Sequence, residues 1–314
     1  AASNGVGTIW VNVGRAAGSW LYAPWLGVVL CFTSLLFGIA FYAIEHRIPS
    51  PSLVANEVTY YRAVCDHFKM YFVHLRPVFW TLIVLHLLVS STEHLFDNIS
   101  ATFIGNVWAM PDYDTTWLSG LRYGVVFILT PITGVVLDRM PWRMIVIGCA
   151  CIAMLIAHIL FGYSAVVTQA IDDIAASNQS GSYAIVVPDR VSVDIAYTGL
   201  ALLSISQTVL PTVLRTCVPL VVPLKVTGVA YGIFEVAEDV GKSIGAPIIG
   251  AVKDATPGYI AVEGIFIMFA MSAIISCVAM ALLDKRVKGI LNAGRKERLL
   301  FFREREMGAL HNNS

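Results

Sequence analysis

Glu235, Glu238, Asp239 and Lys242 follow one another at i, i+3, i+4 and i+7 inside an otherwise apolar run. On an α-helix this spacing places all four on one face, with Glu238 and Lys242 an i,i+4 pair in the favourable order. A second apolar run carries Glu93, His94 and Asp97, a third Arg122, and a fourth Gln207 and Arg215. The acids Glu93, Asp97, Glu235, Glu238 and Asp239 outnumber the fixed cations Arg122, Arg215 and Lys242. Such a set offers a guanidinium to a carboxylate, and carboxylates to an amine or a proton. Burial favours the protonated form of a carboxylic acid, which suits proton coupling. Two readings follow: the groups line a cavity for a small solute, or they are ion pairs that lock helices together. His86 and His158 are lone histidines on apolar runs and read as structural.

The elements that hold these residues are set by composition. The chain has 314 residues, 57% hydrophobic and 13% charged, where soluble domains carry about 25% charged residues. Several apolar runs reach the roughly 20 residues that cross a hydrocarbon core about 30 Å thick. The runs are continuous rather than alternating, which predicts helices; a lipid interior admits only helices and closed barrels. The fold class is therefore an all-α membrane protein. Seven spans are predicted, over residues 21–44, 78–104, 117–137, 144–167, 195–222, 226–252 and 259–283, after a remnant at 6–18. Residues 1–44 thus form a first membrane segment, 45–76 a basic hydrophilic linker, 77–283 a six-helix bundle and 284–314 a basic tail. Residues 168–194 are polar and acidic and read as a loop. The chain begins at Ala1, inside what reads as a helix end. A longer protein is expected, of which this is the C-terminal part.

Several classes are excluded. Net charge is zero, so no nucleic-acid partner is expected. Five of the six cysteines (Cys31, Cys149, Cys151, Cys217 and Cys277) fall in apolar runs and Cys65 in a polar one. That is neither a disulfide framework nor a metal site, and no cofactor is expected. No nucleophile, base and orienting group cluster at a membrane face, so the chain does not read as an enzyme. If every span crosses once, the basic segments at 45–76, Arg139–Arg143, Lys225 and the tail share one side. The bias of Lys and Arg makes that side cytosolic. The tail, with Leu299, Leu300 and Phe301 among its cations, suits contact with anionic membrane lipids. Asn178-Gln179-Ser180 falls on the opposite side as a glycosylation acceptor, whereas Asn98-Ile99-Ser100 falls in or beside a span.

Between two spans lies Gly134-Val-Val-Leu-Asp138-Arg139-Met-Pro-Trp-Arg143. The glycine permits close helix approach, and Asp138, Arg139 and Arg143 can form a charge network that holds neighbouring helices in one state. This segment resembles the loop signature of the major facilitator superfamily. A second region follows: Val221-Val-Pro223, Gly228, Ala230-Tyr231-Gly232, Gly241, Gly245, Gly250, Asp254, Gly258-Tyr259, Val262-Glu263 and Leu291-Asn292. It is similar to the lysosomal dipeptide transporter branch, the family of major facilitator superfamily domain-containing protein 1.

The resemblance implies a major facilitator fold of twelve helices. This chain would hold the end of helix 5, all of helix 6 and the C-terminal six-helix bundle. It also implies export of dipeptides by alternating access, a lysosomal or endosomal membrane with the plasma membrane as the alternative, and a glycosylated accessory membrane protein. The family carries an aromatic residue where Arg215 aligns, and uncharged residues where Glu235, Glu238, Asp239 and Lys242 align. These departures bring in a second reading, a proton-coupled carrier of small organic anions. A third, of another class, is a transporter-like receptor or adaptor without flux. The candidate solute and coupling groups are Arg215, Glu235, Glu238, Asp239, Arg122 and Glu93. The pairs Gly228/Gly232 and Gly241/Gly245 are small-residue steps for helix packing. Pro211, Pro219 and Pro247 are candidate kinks.

Overall fold

The structure, a computed structural model, describes residues 29, 32–40, 43, 77–139, 142–178, 192–222, 226–287, 290–294, 297 and 300. The linker at 45–76, the tail beyond 300 and most of 1–44 lie outside the described residues, though 32–40 are helical. Six long helices form the body: α1 Pro77–Trp108, α2 Asp112–Arg139, α3 Arg143–Asn178, α4 Val193–Val221, α5 Thr227–Ala255 and α6 Ile260–Val287. A short 3-10 turn, Ile290–Asn292, follows α6. Among the described residues there is no strand.

Five of the helices, all but α5, are long and apolar enough to cross a membrane. The regular structure among the described residues is all helical, and the length and composition of these helices fit a multi-pass membrane protein. The predicted span at 226–252 is a helix, but its acids and lysines leave it outside that group. The expected loop at 168–194 also starts later than the sequence reading has it. α3 runs on through Thr168 to Asn178, because Thr168 to Ala176 still buries Thr168 and Ile171 on one side while Asp172 and Asp173 are exposed.

α1 is the central helix and touches all five others. Its side is packed by fully buried Phe79, Phe96 and Phe103, and Phe96 stacks on Phe161 of α3 with ring centroids 5.0 Å apart. The hydroxyls of α1 are satisfied within the helix: Ser90 donates to His86 O, Ser91 to Leu87 O and Thr92 to Leu88 O, at 2.6–2.8 Å. Such back-bonding lets polar residues sit in an apolar setting without orphaned donors. The outer surface is apolar, with Phe127 81% and Ile275 67% exposed, as expected of a surface solvated by lipid.

Glycines set the closest approaches. A Cβ at Gly199 would overlap the Phe161 ring, and Cβ atoms at Gly241 and Gly245 would overlap Ser91 and Leu95 of α1. The α5–α6 turn needs Gly258, whose φ of +72° is the left-handed region that glycine enters without strain. At the other end, Asn292 accepts a hydrogen bond from Met144 N at 3.1 Å and so caps α3 from the following turn. Leu291 beside it is fully buried.

Candidate functional site

Four helices, α1, α2, α4 and α5, enclose a cavity of about 60 Å³, and of the sequence-predicted charges Glu93, Asp97, Arg215 and Glu238 line it. The hub is Glu238 of α5. Its Oε1 accepts from Lys242 Nζ at 2.6 Å and lies 3.0 Å from His94 Nε2; its Oε2 accepts from Arg215 at 3.3 Å. His86 Nε2 is also 3.3 Å from Oε2, within ion-pair reach but off the hydrogen-bonding line. The carboxylate is therefore saturated by donors from α1, α4 and its own helix.

Arg215 reaches outward as well. Its Nε and Nη2 meet the two oxygens of Glu235 at 3.1 and 3.4 Å, a fork-on-carboxylate geometry that a solute carboxylate could also adopt. Arg215 and Glu235 are 44% and 51% exposed and Asp239 76%. Lys242 Nζ stands 3.7 Å from Asp239. The four charges of α5 do not act as one face: Glu238 turns inward to α1, and Asp239, one position and about 100° further round the helix, turns out.

Deeper along α1, Asp97 pairs with Arg122 of α2 and accepts from Gln207 Nε2 of α4 at 3.1 Å. Arg122 is also held over the rings of Phe96 and Tyr123, at 5.6 and 5.2 Å. Between these two clusters stands Glu93, 4% exposed, with Oε1 making no hydrogen bond among the described residues.

His86, read from the sequence as structural, lines the same cavity, stacked on Phe234 at 3.5 Å and next to Glu238. Its spacing from Glu93 and His94, seven and eight positions, is two helical turns and was the available signal. His158 does sit apart. It pairs with Glu263 of α6 at 2.9 Å, both fully buried; Glu263 carried no chemical role in the sequence reading.

The remaining candidates lie elsewhere. Arg139 ends α2 and is exposed, the Asp138 side chain lies outside the described residues, and a Cβ at Gly134 would meet nothing within 4 Å. Arg143 is buried and donates to Thr216 O of α4 at 3.1 Å, tying α3 to α4. Gly228 and Gly232 likewise meet nothing within 4 Å, so the close packing expected of them is not made among the described residues. Asn178 is the last residue of α3, and its side chain lies outside the described residues. Asn98 is exposed but inside α1. No group of three or more His, Cys, Asp or Glu converges as a metal site among the described residues. No protein-family model matches the chain, and no curated protein matches it.

Proposed function

We propose that this chain is the charge-lined half of a membrane transporter for small solutes of the major facilitator type, working by alternating access, with dipeptides leaving the lysosome as the first substrate class. The observation that carries the reading is the open rank of charge on α4 and α5. Arg215, Glu235, Asp239 and Lys242 are all partly exposed on a bundle that also exposes many large apolar side chains. A charge facing hydrocarbon costs several kcal/mol, so such groups face a watery cavity or a partner unit. A second bundle covering this wall would enclose a polar site near mid-membrane, where carriers of this kind bind their solutes.

The pairs at the wall are arranged for exchange. A dipeptide carboxylate can replace Glu235 on the Arg215 fork, and its ammonium can then take Glu235 or Asp239. Exposed pairs of this type are worth only about 0–1 kcal/mol, so their replacement is cheap. Arg215→Trp in the full-length protein, reconstituted in proteoliposomes, tests the reading against a panel of cationic, neutral and acidic dipeptides. Wild type is expected to show saturable counterflow, and Arg215→Trp to lose at least tenfold in uptake of any solute with a free carboxylate. A receptor or adaptor would show no counterflow.

The second reading, a proton-coupled carrier of small organic anions, is favoured by the same exposed guanidinium. Uptake confined to anionic solutes would select it. The partners implied are lipids, a small solute, and for the dipeptide branch a glycosylated accessory membrane protein. The basic segments and tail would face the cytosol.

A further inference from the structure

Of the carboxylates that line the central cavity, one forms no ion pair among the described residues. Glu238 is met by His86, His94, Arg215 and Lys242, and Asp97 by Arg122 and Gln207. Glu93 lines the same cavity, lies at the midpoint of the central helix, is more than nine-tenths buried, and leaves Oε1 without a partner. A bare carboxylate in that position would cost several kcal/mol, far more than a neutral carboxylic acid. The group needs a cation, and the cavity decides which. Its room is that of a few water molecules, so a dipeptide ammonium on its backbone does not fit. Arg215 lines it too and repels a metal ion, and no three His, Cys, Asp or Glu side chains converge as a metal site among the described residues.

We propose that Glu93 is the proton-binding site of this bundle and, resting on the carrier reading above, that one proton accompanies each solute. The groups facing Glu93 from its neighbours fit this assignment. α1 adds His86, His94 and Asp97; α2 adds Arg122 and Tyr123; α4 adds Arg215; α5 adds Glu238. Among the described residues, α3 and α6 add the thiols Cys151 and Cys277 and the buried His158–Glu263 pair. Loading is the reaction of the carboxylate with a hydronium at the cavity mouth, giving the neutral acid and water; release reverses it. With the proton on, no uncompensated charge remains at the centre, and the cavity can close. With it off, closing buries a bare carboxylate. Solute on the outer rank and proton on the inner one therefore cross together.

Infrared spectroscopy of the reconstituted full-length protein tests the site without requiring flux. Wild type at neutral pH should show the carbonyl stretch of a protonated, buried carboxylic acid, shifted by deuterium, and Glu93→Gln should lose it. No such band in wild type, or an unchanged band in Glu93→Gln, overturns the proposal. Accumulation tests the coupling: one proton per solute supports about tenfold accumulation per pH unit of inward gradient, falling to equilibration in Glu93→Gln. Counterflow in wild type with no response to the proton gradient removes the coupling and leaves the carrier reading standing. A sodium gradient driving accumulation in its place overturns the proton assignment. Absence of counterflow in wild type sinks the carrier reading, and the infrared band still decides the site.

Discussion

Two buried carboxylates, Glu238 and Glu263, illustrate how partner number changes what a residue is for. Glu263 has a single imidazole partner and no exposure. Removing one member of such a pair leaves a buried polar group unmatched, and costs about 3–5 kcal/mol, whereas replacing both by apolar groups of similar volume is near neutral. Thermal unfolding of the detergent-solubilised protein should therefore show Glu263→Ala and His158→Ala each strongly destabilised, and His158→Leu with Glu263→Met close to wild type. Equal loss in all three would mean that the pair is not the local determinant. Glu238, by contrast, holds donors from three helices, while Glu235 holds Arg215 at an exposed edge. Glu238→Ala should lower stability by several kcal/mol and Glu235→Ala by no more than about 1 kcal/mol, read by the same unfolding curves. Uptake should respond to both, because the outer rank holds the solute under the proposed reading.

At the scale of the element, the helices were legible because lipid removes the alternatives: a continuous apolar run can only be a helix. The start and end of α2 and α4 lie within a few residues of the expected spans. What escaped was interior geometry. The extension of α3 to Asn178 depends on Ile171 finding a buried place, which no local pattern reports. The four charges of α5 sit on one broad arc in sequence, but a helix half-inserted against α1 divides that arc, so Glu238 is interior and Asp239 is not. His86 looked isolated because its partner, Glu238, lies more than a hundred residues away. The glycines behaved likewise: their spacing gave two equal steps, and only the Gly241/Gly245 step meets a neighbour. That difference is measurable. Gly241→Leu should push α5 off Ser91 and cost about 1–3 kcal/mol by overpacking. Gly232→Ala, with open space around it, should instead stabilise the helix by roughly 0.5–1 kcal/mol, unless a partner bundle packs there in the full-length protein.

At the scale of the whole molecule, six helices joined end to end put alternate connections at opposite ends of the bundle. The ends are tied by independent contacts. At one, Asn292 caps α3 and Arg143 holds Thr216 O; at the other, Asn106 donates to Tyr259 OH at 3.1 Å and Thr168 to Val107 O at 3.0 Å. Were every long helix to cross once, the basic Arg139–Arg143 turn and the segment after α6 would share one side, and Asn178 would lie on the other. α5 is the critical element, because it is the helix whose charge leaves it outside the group apolar enough to cross unaided. If α5 crosses, the contacts of Glu238 with α1 and α4 offset the most buried of its charges. Membrane-impermeant labelling of single cysteines placed at 224 and at 257, in a background with the native cysteines replaced, reads this directly. Opposite sidedness is expected, with 224 on the side of the tail. The same side for both would mean that α5 does not cross; the tail and Asn178 would then share a side, and the six-helix bundle proposed as a transporter half would be lost with it.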